Sequence, residues 1–334
     1  MHRISIFLLA FLFACSSKQN VEPVKLAGQA QGTYYAISYY DDENRDFQFE
    51  IDSLLKDFDQ SVSLWVPHSV ISKVNNNDTS VILDSYFIEI FKLSKSIAED
   101  TDGSFDFTVE PLVNAWGFGF DENRNVDSLI IDSILQFVGH RKMNIDSGWL
   151  YKADERTAID FNAIAQGYSV DLMGFFLESQ NIENYLVDIG GEVKASGNKP
   201  DGSKWKIGIE KPAEHANDGR DLKAVIELKD KCVATSGNYR KFYEENGIRY
   251  SHTIDPKTGY PVQHSLLSVS VVADHAAVAD AYATAFMVMG LEQCKSYLNQ
   301  KKNLDAFLIY ADQDGNYKSY VTEGFQKLIN EEFE

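Results

Sequence analysis

The chain has 334 residues, a formal net charge of −19 at pH 7 and a hydrophobic fraction of 44%. This length suffices for one large domain or two small ones with a substantial core. The acidic excess argues against nucleic acid as a partner, because nucleic-acid binding needs a basic surface. The sequence has no Cys-x-x-Cys motif, so thiol redox chemistry and a structural zinc site lack support.

The N-terminus predicts an exported protein that a lipid anchors to a bacterial membrane, facing the periplasm. Residues 1–14 are typical of a signal peptide: a short basic start, then an apolar run too short to span a bilayer. Ala14 precedes Cys15, as at a lipoprotein cleavage site, and several acyl chains on one cysteine hold a protein stably on a membrane. The alternative is an ordinary secretory signal in which the cysteine is incidental.

Three regions follow from this interpretation. We expect a signal peptide over residues 1–14, a lipidated cysteine with a flexible tether over residues 15–30, and one folded domain over residues 31–330. No later segment is long and apolar enough for a transmembrane helix. An exported location would permit a disulfide between Cys232 and Cys294, but their spacing does not decide whether they pair.

Hydrophobic periodicity places helices mainly in the first half of the chain and strands in the second. The first strand is predicted over Gln31–Tyr40. Helices are predicted over Phe49–Ser61, Ser85–Glu99, Ser128–Val138, Ala163–Ser179 and Asp274–Met289, the last with Asp274 as N-cap and Gly290 as its end. Further strands are predicted over Tyr185–Ile189, Lys204–Glu210, Leu222–Leu228, Ile248–Ile254, Leu266–Ala273, Asp305–Ala311 and Tyr317–Val321. This order favours an α+β fold over a doubly wound α/β sheet.

Five polar, glycine-bearing segments lie among the apolar elements, and we expect them to be loops that converge on one site. They are Asp160–Asp171, Leu186–Gly191, Ala234–Arg240, His252–Pro261 and Asp280–Thr284. The chain has neither the glycine pattern of a Rossmann dinucleotide site nor that of a P-loop.

Asp280 and Thr284 are four residues apart on the last long predicted helix, so they lie on one face of it. A carboxylate and a hydroxyl are hard oxygen ligands that suit Mg²⁺, which keeps positions for water and phosphate oxygens. The alternative is a solvated aspartate beside a threonine that bonds back into its own helix.

The segment Asp160–Asp171 predicts a strand that enters a helix through a polar turn. A helix start offers unpaired N–H groups to an anion, and Gly167 removes a side chain where another group must approach. Asp160 or Asn162 also suits a simple helix cap. Gly190-Gly191 and Thr235-Ser236-Gly237 each follow a strand and could offer backbone donors to phosphates, although each is weak evidence alone.

His252 is the strongest candidate for proton transfer, because it ends a predicted strand just before the turn at Asp255–Gly259. Imidazole titrates near neutrality and accepts a hydroxyl proton. The alternative is a histidine that only bonds the turn backbone. The other histidines lie outside the polar segments, and we assign them structural roles.

In this order, these segments resemble the ApbE family, the bacterial FAD:protein FMN transferases. Gln31-Gly32-Thr33, Ser63-Leu64-Trp65 and Gly103–Val109 complete the resemblance, which runs from about residue 30 to 325. It implies an α+β fold with a mainly antiparallel sheet around a central FAD cleft. Two positions depart from the family pattern: Gln31 replaces a methionine, and Gln166 stands where the family often has lysine.

The resemblance implies a Mg²⁺-dependent transfer of FMN from FAD to a threonine or serine hydroxyl of an exported or membrane-bound acceptor protein, with release of AMP. It implies that His252 is the base and that Asp280, Thr284 and the carbonyl of Ala163 bind Mg²⁺. The residues implied near FAD are Gln31, Trp65, Ser104, Phe105, Asp106, Asp160, Gln166, Gly190, Gly191, Ser236 and Ile254. Two alternatives remain: a Mg²⁺-dependent FAD pyrophosphatase that yields FMN and AMP, and a lipoprotein that binds FAD without catalysis.

Overall fold

The computed structural model describes residues 22–119, 126–212, 221–238, 242–245, 248–301 and 303–333. The helices in these ranges are α1 (Gln48–Val62), α2 (Val70–Asn75), α3 (Ser85–Asp100), α4 (Glu110–Ala115), α5 (Ser128–Leu135), α6 (Ala165–Ser179), α7 (Ala276–Gln300) and α8 (Glu323–Gln326), with a short 3-10 helix at His140–Lys142. None of these helices is both long enough and apolar enough to cross a membrane.

The strands in the same ranges are β1 (Val24–Ala30), β2 (Thr33–Tyr39), β3 (Met143–Asp146), β4 (Trp149–Lys152), β5 (Tyr185–Ile189), β6 (Glu192–Ser196), β7 (Trp205–Glu210), β8 (Leu222–Leu228), β9 (Lys231–Gly237), β10 (Phe242–Glu245), β11 (Ile248–Ser251), β12 (Leu266–Ala273), β13 (Asp305–Ala311), β14 (Tyr317–Val321) and β15 (Ile329–Glu332).

An eight-stranded antiparallel sheet organises the fold, in the order β1-β2-β5-β6-β9-β12-β13-β14. A three-stranded antiparallel sheet, β15-β8-β7, is separate from it. The pairs β3-β4 and β10-β11 form two small hairpins. The prediction of an α+β fold with mainly antiparallel strands is therefore confirmed.

The large sheet is buried on both faces, which explains the apolar runs in its central strands. Helices α6 and α7 pack on one face. On the other face, Val193 and Phe307 share a hydrophobic cluster with Trp205 and Ile226 of the three-stranded sheet. The result is three layers: helices, the large sheet and the small sheet.

Most of the predicted helices are confirmed, and side chains close the first turns of α3 and α5. Asp84 accepts a hydrogen bond from the N–H of Phe87 at the start of α3, and Asp127 does the same for Ile130 at α5. The predicted strands in the second half also match within a few residues, although the predicted strand Ile248–Ile254 ends at Ser251 as β11.

The segment expected to be a tether up to residue 30 instead enters the fold at Val24 as strand β1. The pair Gln31-Gly32 forms a two-residue turn to β2, with φ of 53° and 73°, and Ala30 pairs with Thr33. Positive φ at both central positions is the geometry that joins antiparallel strands tightly. The first predicted strand is therefore the second arm of a hairpin.

The last long helix also differs from its prediction. It begins at Ala276 after His275, so Asp274 is not its N-cap, and Asp274 instead pairs with Lys231 at 2.5 Å. It does not end at Gly290, where the backbone leaves helical geometry (φ 73°, ψ 176°), but resumes and runs to Gln300. Gly290 therefore marks a kink between two helical segments, because only glycine adopts this backbone conformation readily.

Cys232 and Cys294 are both buried free thiols. The disulfide that an exported location would permit between these two cysteines is therefore absent from the structure. Burial raises the pKa of both thiols, which keeps them protonated.

Candidate active site

The start of helix α6 brings together three loops that are distant in sequence. Gln166 Nε2 donates to the carbonyl of Ile189 at 2.9 Å, which fixes α6 to the end of β5. Ser169 Oγ donates to Gln31 Oε1 at 3.2 Å, which fixes the same helix to the β1–β2 turn. Gln31, Gln166 and the Gly190-Gly191 turn are thus neighbours, as the convergence of polar loops predicted.

Both N–H groups of the glycine pair are engaged within the fold. The N–H of Gly190 donates to the carbonyl of Tyr34, and the N–H of Gly191 donates to Asp188 Oδ1, each at 3.0 Å. This differs from the expectation of free backbone donors for phosphate. The absence of a side chain at Gly190 lets neighbouring groups approach the turn closely. A Cβ on Gly190 would lie 2.8 Å from Thr33 Cγ2 and would overlap the amide of Gln166.

Asp280, on α7, turns its carboxylate toward the first turn of α6. Its Oδ2 accepts a hydrogen bond from the N–H of Gly167 at 3.0 Å, and only 7% of the residue is exposed. A Cβ on Gly167 would lie 2.4 Å from the carbonyl oxygen of Ala276, so glycine is what permits this close approach of the two helices. Burial raises the pKa of the Asp280 carboxyl.

The hydrogen bond from Gly167 to Asp280 leaves the carbonyl of Ala163 without its usual helical donor. In a continuous helix the N–H of Gly167 would bond the carbonyl four residues earlier, which belongs to Ala163. Because α6 begins at Ala165 and that N–H is given to Asp280, the Ala163 carbonyl does not receive it. One turn along α7 from Asp280, the hydroxyls of Thr284 and Ser236 lie 3.1 Å apart.

These oxygens fit a Mg²⁺ ion in type, because Mg²⁺ prefers carboxylate, hydroxyl and carbonyl oxygens and takes few from the protein. In the described ranges no three or more His, Cys, Asp or Glu side chains are grouped so that they could hold a metal. A cation here would therefore need Thr284 or a backbone carbonyl beside the acidic groups.

A second group of candidate residues lines a small pocket. Its walls include Trp65, Asp160, Asn162, Glu110 and Phe118. Trp65 is 69% exposed, so much of its indole surface is accessible at the pocket. Asp160 is nearly buried and accepts the N–H of Asn162 at 2.6 Å, so it closes the polar turn. Neither residue caps α6, whose N-cap position is Ile164 without a side-chain hydrogen bond, so the predicted cap is wrong. Burial raises the pKa of Asp160, and burial and then the charge of Asp160 raise that of Glu110.

His252 adjoins this pocket through Phe118. The planes of the two rings make an angle of 71°, and their centroids lie 6.5 Å apart. The turn after it is well braced: the N–H of Gly259 donates to the Asp255 carbonyl, and Trp116 Nε1 donates to the Gly259 carbonyl at 2.7 Å. Ile254 is buried in the small cluster around Trp116. His252 is thus held at the edge of the pocket by a rigid turn.

The ApbE family model matches residues 31–308, which is most of the chain. The chain belongs to the ApbE family. It is 34% identical over 340 residues to the FAD:protein FMN transferase of Haemophilus influenzae, an alignment that covers 97% of this chain and 96% of the relative. It is 33% identical to the corresponding protein of Vibrio cholerae, with 97% and 98% covered.

Solved structures of this family share the fold. The flavin transferase ApbE from Vibrio cholerae superposes with a TM-score of 0.82 and 33% identity, covering 92% of this chain and 99% of that one. The apo form of the Pseudomonas stutzeri flavinyl transferase ApbE gives a TM-score of 0.83 and 31% identity, with 93% and 98% covered. Membership of the ApbE family, predicted from the order of the polar segments, is confirmed.

Three residues that the ApbE resemblance placed near FAD are tied into the core of the fold. Ser104 and Phe105 are buried, and Phe105 belongs to the main hydrophobic cluster. Asp106 binds the hydroxyl and N–H of Thr108 through Oδ1, and His140 through Oδ2 at 2.7 and 2.9 Å. Their contact with FAD stays a prediction, and the structural role expected for His140 is evident in this pair. Cys15 lies outside the described residues.

Two acidic residues near these ApbE-like loops were not singled out from the sequence. Glu110 lines the pocket beside Asp160, and Glu192 follows Gly190-Gly191 at the start of β6. Glu192 begins a strand whose first four residues are all buried, and only the structure shows this burial, so the sequence carried no signal for it. For Glu110, at the first turn of a short helix, the sequence offered an ordinary helix start instead.

Proposed function

We propose that this protein transfers FMN from FAD to a threonine or serine hydroxyl of an acceptor protein and releases AMP. Relatives that align with nearly the whole chain are named FAD:protein FMN transferase. The observation that carries the proposal is the arrangement at the start of α6, where the Asp280 carboxylate meets the N–H of Gly167 beside the hydroxyls of Thr284 and Ser236. A Rossmann or P-loop site would need a glycine signature that this chain lacks.

The reaction is a phosphoryl-type transfer without redox change. The acceptor oxygen forms a bond to the phosphorus of FMN, and the bond from that phosphorus to the oxygen bridging to AMP breaks. The proton of the acceptor hydroxyl passes to His252, and AMP departs with the bridging oxygen. Such a reaction depends on positioning and charge neutralisation more than on covalent chemistry.

Mg²⁺ would be held by Asp280, Thr284 and the Ala163 carbonyl, and when bound it supplies positive charge to the pyrophosphate oxygens. The residues of the chain then have separate tasks. Trp65 and Phe118 offer aromatic surface at the pocket. Gln166, bonded to the Ile189 carbonyl, holds the glycine turn against the start of α6. His252, which lies just before the hydrogen-bonded turn at Asp255–Gly259, would accept the proton.

The test measures the acceptor and the leaving group together. The detergent-solubilised full chain is incubated with FAD, with Mg²⁺ or EDTA, and with an exported acceptor domain that contains the target threonine. We expect the intact mass of the acceptor to rise by one FMN, with an equal amount of AMP, only when Mg²⁺ is present. His252→Ala should lower the rate at least about 100-fold, and His68→Ala, which removes an exposed histidine, should not.

The alternatives give different results in the same assay. AMP without a gain in acceptor mass, also with acceptors from several exported flavoproteins, indicates a pyrophosphatase. FAD that binds and yields neither product indicates a flavin-binding protein and overturns both enzymatic activities.

We also propose that the protein is exported and anchored to a membrane through acylated Cys15, with acceptors that are exported or membrane-bound. The support is the sequence of residues 1–20 alone. A fatty-acid analogue fed to cells should label the wild-type protein in the membrane fraction, and Cys15→Ser should abolish the label. Equal labelling of the variant would contradict the anchor.

A further inference from the structure

Glu192 is a buried carboxylate with an unsatisfied oxygen. It is the first residue of β6, directly after the Gly190-Gly191 turn, and 8% of it is exposed. Its Oε2 has no hydrogen-bond partner in the described structure. Burying an ionised carboxylate without a partner is costly, and buried charges in proteins are paired or coordinate metals. The position therefore calls for a cation or a donor that the side chains of the fold do not supply.

The nearest lysine on this strand serves other groups. Lys194, two residues along β6 and on the same face, has its Nζ 3.7 Å from Asp171 Oδ1 and 3.8 Å from Glu178 Oε1. It also lies over the ring of Phe175 at 4.6 Å. Lys194 thus pairs with two carboxylates of α6 and not with Glu192.

The charges that act on Glu192 are negative. The stronger of them comes from Asp280 and the weaker from Asp188. Strand β6 and helix α7 are in contact, and both Glu192 and Asp280 are buried. Two buried carboxylates on adjoining elements are what a divalent cation would balance.

We propose that Glu192 is a further ligand of the cation site, so that the ion lies between Asp280 on α7 and Glu192 on β6. This inference rests on the cation site of the proposed function and adds a residue and a charge to it. Two carboxylates would neutralise a divalent ion, and the hydroxyl of Thr284 and the Ala163 carbonyl would complete the protein ligands. Mg²⁺ then keeps positions for oxygens of the substrate.

The arrangement also joins the sheet to the helices. Asp280 holds the first turn of α6 through Gly167, whereas Glu192 belongs to the central sheet. A cation bound by both would link the helical layer to β6 beside the Gly190-Gly191 turn. Binding of the ion should therefore raise the stability of the whole fold, since an ion that binds only the folded state stabilises it by mass action.

The test uses Mn²⁺ as a spectroscopic probe and needs no turnover. The full chain in detergent, free of FAD, is titrated with Mn²⁺, and free Mn²⁺ is measured by electron paramagnetic resonance. Glu192→Gln keeps the shape and removes the charge, and it should raise the Kd for Mn²⁺ at least about tenfold, as Asp280→Asn should. Glu178→Gln, which removes a carboxylate at the far end of α6, should leave the Kd unchanged.

Thermal unfolding separates a ligand from a structural residue. Without metal, Glu192→Gln should unfold at the same or a higher temperature than the wild type, because it removes a buried charge. With Mg²⁺, the wild type should gain melting temperature and the variant should not. A variant that is less stable without metal and gains as much as the wild type with Mg²⁺ overturns the inference.

Two further outcomes of the Mn²⁺ titration would refute Glu192 as a ligand. If Glu192→Gln binds Mn²⁺ like the wild type while Asp280→Asn does not, Glu192 is not a ligand and the cation site stands without it. If the wild type binds no Mn²⁺ in the absence of FAD, a preformed site with two carboxylates is refuted. FMN transfer in the acceptor assay would still support the proposed function in both cases.

Discussion

Asp171 Oδ2, on α6, accepts a hydrogen bond from the backbone N–H of Ala277, in the first turn of α7, at 3.0 Å. Asp171 therefore closes the start of the helix that carries Asp280 and Thr284. Its other oxygen faces Lys194 Nζ at 3.7 Å and Cys232 Sγ at 3.9 Å. The N–H of Ala277 at the start of α7 is thus bound by Asp171, more than 100 positions earlier, whereas Asp274 was predicted to cap this helix.

Asp171→Ala should lower the free energy of unfolding by about 2–4 kcal/mol, because it leaves a buried N–H without its acceptor and removes one of the two carboxylates beside the nearly buried Lys194. Chemical denaturation measures this loss. Asp274→Ala, which removes an exposed carboxylate paired with Lys231, should cost less than about 1 kcal/mol. Equal losses in the two variants would show that Asp171 does not join the helices.

Gly167→Ala should disrupt the contact between α6 and α7. The new methyl group would lie 2.4 Å from the carbonyl oxygen of Ala276, and backbone atoms cannot move aside as a flexible side chain can. We expect a loss of at least about 2 kcal/mol in the free energy of unfolding, with a loss of cation binding at Asp280. Gly174→Ala is the matched control on the same helix, since its methyl group would meet side-chain atoms of Lys194 and Tyr185 and not backbone atoms. A smaller loss for Gly167→Ala than for Gly174→Ala would contradict the close approach.

Gln166→Lys should strengthen binding of FAD if the start of α6 faces its phosphates. A charged donor to a phosphate is about twice as strong as a neutral one, so we expect the KM for FAD to fall several-fold with little change in kcat. Steady-state release of AMP measures both constants. Gln180→Lys, at the C-cap of the same helix, carries the same charge change away from the site and should leave KM unaltered. An unchanged or higher KM in Gln166→Lys would place the phosphates elsewhere.

Asp59 should make stability depend on pH. Burial in α1 raises its pKa from 3.8 to about 6. The folded state then binds more protons than the unfolded state between these values, so this group contributes stability as the pH falls from about 6 toward 4 and loses it as the pH rises. Asp59→Asn should raise the free energy of unfolding at pH 7 by on the order of 1 kcal/mol, with a smaller gain at pH 4.

Denaturation of Asp59→Asn and wild type across pH 4–8 tests this dependence as a difference between the two curves. Asp57→Asn, on the exposed side of the same helix, removes the same charge and should give a difference that hardly varies with pH. A gain for Asp59→Asn that is the same at every pH would exclude the raised pKa as its cause.

Local patterns in the sequence predicted what depends on neighbours in the chain. The amphipathic helix α3 and the strands β5, β8 and β13 have clear periods and ends, and they lie close to their predicted positions. The order of the polar loops predicted the family, and the structure brings Gln31, Gln166 and Gly190 together at one helix start.

What depends on partners far along the chain was not predictable from local patterns. The segment Val24–Ala30 looks like a tether until its pairing with β2 is known. Asp171 lies 106 residues before the N–H that it binds, so Asp274, next to the helix, was the better local candidate for a cap. Glu192 differs from an exposed strand acid only in its burial, which the layers on both sides of the sheet determine.

The strand order of the large sheet bears on how the protein reaches its native state. Read across the sheet, β1, β2, β5, β6, β9, β12, β13 and β14 follow their order in the chain. Each strand therefore adds to an existing edge, and none has to enter between two strands that have already paired. A chain that emerges from its N-terminus could extend the sheet in sequence, so that the edge left open at each stage is covered by the next strand to arrive.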